Sequence, residues 1–149
     1  MSDKARGYAH RIDISAGAPH VWQALTLTEQ LRRWCSPDAE IRARQGGSFR
    51  ASVDRVTEFE AHIDVYEPGR RLKLIYLPTP GAPPADRAMS DDFILDAVAE
   101  GTIVRLLGSG FPVSDEWETQ FLRLRMGWSQ ALARLKVLVE KQLKQGVDS

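Results

Sequence analysis

The sequence contains a single cysteine, Cys35, and no run of about eighteen apolar residues. A lone cysteine excludes an internal disulfide, and without a long apolar run there is no candidate for a membrane-spanning helix. The pattern of a secretory signal peptide is also missing from the N-terminal residues. These absences predict a cytoplasmic protein that makes no contact with a membrane.

The sequence also lacks an excess of either charge. Its 20 Lys and Arg residues balance 20 Asp and Glu residues, and no basic cluster stands out. Because nucleic acids are bound through basic surfaces, we expect no nucleic-acid partner. The 149 residues are 43% hydrophobic, enough for one substantial core, and no repeat or linker divides them. We therefore predict one domain over residues 1–149.

Clusters of metal-binding residues are missing as well. His10, His20 and His62 each stand without a second His, Cys or carboxylate at ligand spacing, so we predict no metal and no cofactor. Cys35 follows Trp34 at the end of a predicted helix, and a lone cysteine among apolar residues is usually part of a core. We interpret it as a packing residue, with a reactive thiol as the alternative.

A catalytic constellation is not evident. Asp91 and Asp92 are neighbours on a predicted strand, so their side chains point to opposite faces and cannot converge on one bond. We interpret the pair as a solvated entry to the strand. Residues 108–110, Gly-Ser-Gly, have neither the spacing of a nucleophile elbow nor the lysine of a phosphate loop and are predicted to form a turn. The sequence therefore favours a protein without catalytic residues.

The sequence does contain a long amphipathic segment, Ser114–Leu143. Its apolar residues recur in steps of three and four, on one helix face. They are Trp117, Phe121, Leu124, Trp128, Ala131, Leu135 and Leu138. A coiled-coil seam has similar spacing, but the flanking positions lack regular opposed charges, so we favour a helix that packs on a sheet. Gly127 within this helix predicts a close approach to the sheet or a bend.

The preceding chain shows shorter patterns. A strand at Ala9–Ile14 is followed by two short helices, at Val21–Leu25 and Glu29–Trp34. Further strands are predicted at Glu40–Arg44, Ser48–Val53, Glu58–Tyr66, Arg71–Leu77, Phe93–Val98 and Thr102–Leu107. Their alternation of apolar and polar residues is typical of an antiparallel sheet with one face in water. The proline-rich segment Pro78–Asp91 is predicted to be a mobile loop at the rim of the site.

Several short motifs follow one another in a recognisable order. They are Ile14-Ser15-Ala16, Val21–Thr26, Leu31–Trp34, Gly46–Arg50, Pro68 with Arg71-Leu72, Gly101-Thr102, Ser109–Phe111 and Gly127-Trp128. With the order of elements, they resemble the START-like (SRPBCC) superfamily, in the branch of activator of heat-shock protein 90 ATPase homologues. The resemblance implies an α+β helix-grip fold: a curved seven-stranded antiparallel sheet around a long C-terminal helix, two short helices after the first strand, and an apolar cavity between sheet and helix.

The chain departs from this family pattern at three positions. The family often has a second aromatic residue at Cys35, a tryptophan at Tyr76 and a polar residue at Gly108. All three differences bear on the size and polarity of the implied cavity.

We predict that the protein binds a hydrophobic or amphipathic small molecule in that cavity without catalysis. The candidate ligand-binding residues are Trp34, Phe49, Leu74, Tyr76, Phe93, Leu95, Trp117, Phe121, Leu124 and Trp128. One alternative is an enzyme, because START-like relatives include cyclases, dehydratases and hydrolases of small apolar substrates. That interpretation needs a carboxylate or histidine that faces inward.

The second alternative is an interaction protein. It would act on a chaperone or on a dimer partner through the outer face of the C-terminal helix, so monomer and homodimer both stay open. The apolar residues of that outer face are Leu122, Met126, Ala133 and Val137.

Overall fold

The computed structural model describes residues 4–54, 58–78 and 87–147. The elements run β1 (Ala5–Ile14), α1 (Ala18–Thr26), α2 (Thr28–Trp34), β2 (Glu40–Ile41), β3 (Ser48–Ala51), β4 (Phe59–Glu67), β5 (Arg71–Tyr76), β6 (Ser90–Val98), β7 (Gly101–Pro112) and α3 (Asp115–Val147). The strands form one seven-stranded sheet in the order β1-β7-β6-β5-β4-β3-β2, and every pair is antiparallel. The predicted α+β fold is confirmed.

Alternation along the strands separates a core face of the sheet from its other face. In β5 the side chains of Leu72, Leu74 and Tyr76 are buried, as predicted, while the residues between them are partly exposed. In β4 the alternation holds through Ile63 and is then interrupted by a bulge between Ile63 and Val65, so that Val65 is only partly buried. The core lies between this face and the helices.

The helix α3 lies across the core face of the sheet. Three acidic residues occupy its first turn, where they offset the positive end of the helix dipole. The predicted stripe from Trp117 to Leu135 is buried within the chain, and Leu138 is partly buried. The coiled-coil alternative is therefore wrong. None of the helices in the described ranges is long and apolar enough to cross a lipid bilayer.

Gly127 marks a close approach between α3 and the chain that follows β3. A Cβ atom added at Gly127 would lie 2.9 Å from Val53 Cγ2 and 3.2 Å from the Val53 carbonyl carbon. A side chain at this position would therefore push the helix away from the sheet, which is the reason expected for a glycine inside a helix.

The structure corrects several sequence predictions about where elements begin and end. The turn predicted at residues 108–110 is wrong, because β7 continues to Pro112 and pairs there with Ala5 of β1. The first strand therefore begins at Ala5, four residues earlier than predicted, and only Glu40–Ile41 of the predicted strand Glu40–Arg44 is a strand. Most of the predicted loop Pro78–Asp91 lies outside the described residues, and its last two residues belong to β6.

Candidate functional site

Asp91 is the one carboxylate that the fold buries completely among the described residues. It is the second residue of β6 and points into the core with none of its surface exposed. Asp92 points to the opposite face and forms a bidentate ion pair with Arg71, with Nη2 2.8 Å from Oδ2. The interpretation of Asp91 as solvated is wrong, because β6 begins at Ser90 and Asp91 shares the inward face of Phe93 and Leu95.

Three neutral donors converge on the Asp91 carboxylate. The Tyr8 hydroxyl donates to Oδ1. The Tyr76 hydroxyl donates to Oδ2 over 2.5 Å, and the Trp128 indole N–H donates to the same oxygen over 3.1 Å. We call Tyr8, Tyr76, Asp91 and Trp128 the Asp91 cluster. Its members come from β1, β5, β6 and α3, so only the folded chain assembles it.

A glycine allows Tyr8 to reach a strand that is not its neighbour. Tyr8 of β1 lies opposite Gly108 of β7, and Gly108 lies opposite Asp91 of β6, so the three residues form one row across the sheet. A Cβ atom at Gly108 would lie only 2.4 Å from Cζ of the Tyr8 ring. The ring therefore occupies the space that a side chain at Gly108 would fill, and its hydroxyl extends to Asp91.

Burial dominates the electrostatics of the Asp91 cluster. Loss of solvent raises the pKa of Asp91 from its ordinary value of 3.8 to about 6, although the three hydrogen bonds to the carboxylate oppose the rise. Burial, together with the nearby Asp91 carboxylate, raises the pKa of both Tyr8 and Tyr76 well above the usual value. The two phenols therefore stay protonated at neutral pH and act as donors, while the pKa of Asp91 is about 6.

Aromatic rings surround the cluster. Phe59 stacks on Tyr76 with ring centroids 4.8 Å apart. Phe93 and Trp128 pack edge to face, with ring centroids 5.3 Å apart. Phe111 contacts both tyrosines, at 5.4 Å from Tyr8 and 5.7 Å from Tyr76. These contacts leave the carboxylate in an apolar shell, which is the cause of its raised pKa.

All ten predicted ligand-binding residues are buried: Trp34, Phe49, Leu74, Tyr76, Phe93, Leu95, Trp117, Phe121, Leu124 and Trp128. Tyr76 and Trp128 bond directly to Asp91, and Phe93 and Phe121 contact rings of the cluster. Trp34 differs, because its indole N–H already donates to the Ala24 carbonyl over 2.8 Å and joins α2 to α1. The indole N–H of Trp34 is therefore already used within the protein and does not face a ligand as a donor.

Sequence reasoning missed two members of the site. Tyr8 lies outside the predicted first strand Ala9–Ile14, and the sequence interpretation places Asp91 in solvent. Both could have been found by extending an alternation that was already visible. Ile12 and Ile14 place Tyr8 on the core face of β1, and Phe93 and Leu95 place Asp91 on the core face of β6.

The other residues considered from the sequence do not join this site. Cys35 is fully buried, and burial raises the pKa of its thiol far above the usual value, so it is not poised as a nucleophile. Within the described ranges no group of three or more His, Cys, Asp and Glu side chains could hold a metal ion.

A separate groove of about 490 Å³ opens between α1, α2 and the end of α3. Its lining consists of His20, Gln23, Ala24, Gln30, Val139, Gln142 and Leu143. Gln142 donates to Gln30 over 2.7 Å within it, and no predicted ligand-binding residue contributes to its wall.

Comparison with known proteins identifies the family of this chain. The family model described as "Activator of Hsp90 ATPase homolog 1-like protein" matches residues 15–140, most of the chain. The chain belongs to this family. The resemblance to the START-like (SRPBCC) superfamily is thereby confirmed. A search of curated proteins found no significant match.

Several solved structures share the fold of this family member. Protein MLL2253 from Mesorhizobium loti has a TM-score of 0.78 and 23% identity, over 91% of this chain and 98% of that one. The Aha1 dimer from Colwellia psychrerythraea, solved in solution, has a TM-score of 0.76 and 20% identity, over 91% and 96%. CalU16 from Micromonospora echinospora has a TM-score of 0.70 and 24% identity, over 91% and 74%. At these identities the likeness establishes the fold, and the function has to be argued from the site.

The row across the sheet yields a testable expectation. Replacing Gly108 by alanine places Cβ inside the space of the Tyr8 ring, so the ring must move and the Tyr8–Asp91 hydrogen bond breaks. We expect a loss of about 1–3 kcal/mol in the free energy of unfolding, measured by urea denaturation. The same substitution at Gly17, where Cβ meets only ordinary contacts beyond 3.4 Å, is the control.

A double-mutant cycle isolates the cause. In a Tyr8→Ala background the space beside residue 108 is empty, so the additional cost of Gly108→Ala should largely disappear. An equal cost in both backgrounds would show that the glycine is needed for another reason.

Proposed function

We propose that this protein binds an apolar or amphipathic small molecule between the sheet and α3, with the Asp91 cluster as the polar anchor of the site. The observation that carries the proposal is the buried carboxylate with its three donors inside an aromatic shell. Ligand pockets combine mostly aromatic walls with a few converging polar groups, and the cluster has this composition.

Stability alone is a poor explanation for the cluster. Burying a carboxylate costs several kcal/mol in desolvation, and neutral donors offset only part of that cost. Apolar side chains at all four positions of the cluster would avoid the cost without leaving a donor unpaired. Groups with strongly perturbed pKa values concentrate at functional sites, which supports a role for Asp91 beyond packing.

Within the cluster, the tyrosines are the groups that a ligand would meet first. Tyr8 and Tyr76 retain 7% and 9% of their surface, whereas Asp91 and Trp128 retain none. Both phenols donate their proton in a hydrogen bond to Asp91, so each phenol oxygen can still accept a hydrogen bond from a ligand. The proposed site therefore orients an amphipathic ligand through the phenols and holds its apolar part against Phe59, Phe111 and Phe121.

Tryptophan fluorescence offers a direct test. We would titrate the protein with the neutral dye Nile red and then displace the dye with aliphatic and aromatic small molecules. Ligand binding should change the emission of the wild type and of Trp22→Phe, whose tryptophan contacts Tyr66 outside the cluster. The change should be largely lost in Trp128→Phe. If no dye enters and no ligand alters the emission, the proposal is wrong.

Acid–base catalysis on a small apolar substrate is the second candidate, and one observation favours it. The pKa of Asp91, at about 6, lies close to physiological pH, as suits a general acid or base. The inward-facing carboxylate that an enzyme needs is therefore present. The distinguishing variant is Asp91→Asn, which should keep ligand binding and abolish turnover if Asp91 transfers protons.

Failure of both tests would favour an interaction protein. The outer face of α3 exposes Leu122, Met126, Ala133 and Val137, as the sequence predicted. The structural relative from Colwellia psychrerythraea is described as a dimer. Sedimentation of the wild type and of Met126→Glu would then show whether this face joins two copies.

A further inference from the structure

We propose that Arg6 is the receptor for a carboxylate group of the ligand, so that the site selects amphipathic acids over the corresponding neutral compounds. The inference rests on the proposed function and names the class of ligand. It starts from two guanidinium nitrogens of Arg6, Nε and Nη2, which are shielded from solvent and have no hydrogen-bond acceptor among the described residues. A buried charged donor without an acceptor is costly, since solvent cannot compensate it.

The two unpartnered nitrogens form one edge of the guanidinium, and this edge is the one that binds carboxylates. In the same protein, Nε and Nη2 of Arg71 bind Asp92 at 3.0 and 2.8 Å, and Nε and Nη2 of Arg11 bind Asp13 at 2.9 and 3.1 Å. Arg6 uses only its remaining nitrogen, Nη1, which bonds to Glu118 at 2.9 Å. Among the described residues no acceptor occupies its bidentate edge, which has the geometry to bind a planar anion.

The position of Arg6 connects this edge to the proposed site. Arg6 and Tyr8 lie on the core-facing side of β1, and both contact the ring of Phe121. The Arg6 guanidinium carbon lies 4.3 Å from the centroid of the Phe121 ring. On the same ring packs Tyr8, whose hydroxyl donates to Asp91. A ligand whose acidic end binds Arg6 can therefore extend its apolar part along the aromatic rings of the cluster.

A second cation lies beside the ring that Arg6 contacts. The guanidinium of Arg125 lies 5.9 Å from the centroid of the same Phe121 ring, so two cations lie near it. Glu118, which is half exposed, balances one of them. Because the Arg6 edge is closed to solvent, binding requires that nearby side chains move aside. The new ion pair would then remove the cost of the unpaired donors.

The test compares matched acids and alcohols. Displacement of Nile red at pH 8 would be measured with decanoate against decan-1-ol, and with 4-phenylbutyrate against 4-phenylbutan-1-ol. The wild type should bind each acid about tenfold or more tightly than its alcohol, as expected for charge-assisted hydrogen bonds. Acetate should not displace the dye, and displacement by acetate would indicate a site for free anions, contrary to the proposal.

Variants of Arg6 separate the bidentate edge from charge and packing. Arg6→Met keeps an apolar stem over Phe121 and should lose the preference for acids while its affinity for the alcohols stays within about twofold. Arg6→Lys keeps the charge without the bidentate edge and should lose most of the preference. Arg11→Met is the control, because Arg11 lies on the same strand with its edge already occupied by Asp13.

The outcomes distinguish this inference from the proposed function. If the wild type binds the alcohols but shows no preference for the acids, or if Arg6→Met retains the preference, Arg6 is not the receptor and the binding site remains. If the wild type binds neither acids nor alcohols, the proposed function itself is wrong and this inference fails with it.

Discussion

Replacing Asp91 by alanine is expected to destabilise the protein on the order of 3 kcal/mol at pH 7, because three buried donors lose their common acceptor. The loss is larger than that expected for a surface carboxylate. Asp96→Ala on the same strand is the control, since Asp96 forms an exposed ion pair with Arg105 and should change the stability by less than about 1 kcal/mol.

Asparagine at position 91 should be far better tolerated than alanine. Its carbonyl oxygen can accept from Tyr76 and Trp128, and its amide can donate to the Tyr8 oxygen, so all members of the cluster keep a partner. At pH 4, where both side chains are uncharged, we expect Asp91→Asn to stay within about 1 kcal/mol of the wild type, measured by urea denaturation. If Asp91→Ala is as stable as the wild type, the tyrosines and Trp128 find other acceptors. The Asp91 cluster would then not contribute to stability.

The two substitutions also bear on function. Asp91→Asn preserves the shape of the site, so a loss of ligand binding in this variant would assign the charge of Asp91 to binding. Retained binding with lost turnover would assign it to proton transfer. Asp91→Ala cannot make this distinction, because unfolding and loss of the anchor reduce binding together.

The fold could be predicted from the sequence because its elements follow simple patterns. Strand β5 and helix α3 each have one apolar face, visible as an alternation in β5 and as a stripe in α3. The burial of Leu72, Leu74 and Trp128 follows from these patterns. The family resemblance added the packing of one curved sheet around the C-terminal helix, which local patterns do not contain. The predicted mobility of the loop concerns mainly residues 79–86, which lie outside the described part of the chain.

The centre of the site could not be predicted in the same way, because it breaks the pattern that predicts the core. Asp91 is a charged residue on an apolar face, and a binary pattern assigns it to solvent. Its partner Tyr8 lies two strands away and reaches it only across Gly108, whose lack of a side chain looked like the signal of a turn. A glycine that makes room for a ring and a glycine that turns the chain are identical in sequence.

Stability should fall as pH rises through the titration of Asp91. The folded state keeps the proton on Asp91 up to a pKa of about 6, whereas an unfolded chain releases it near 3.8. Between these values unfolding releases a proton, so a higher pH favours the unfolded state. The contribution of protonated Asp91 is complete below about pH 4 and is lost by about pH 7, with a total of about 3 kcal/mol.

The measurement is the difference in free energy of unfolding between the wild type and Asp91→Asn at several pH values. Other carboxylates act in the opposite direction: ion pairing with Arg11 lowers the pKa of Asp13, and bonding to Lys136 lowers that of Glu140, so their contributions are lost as pH falls. Because the wild type and Asp91→Asn both contain these groups, their contributions cancel in the difference. The remaining pH dependence belongs to Asp91. The wild type should lose about 3 kcal/mol relative to Asp91→Asn between pH 4 and pH 7. A difference that stays constant over this range would mean that the carboxylate titrates equally in the folded and unfolded states, and Asp91 could then serve neither as a perturbed anchor nor as a proton donor near neutral pH.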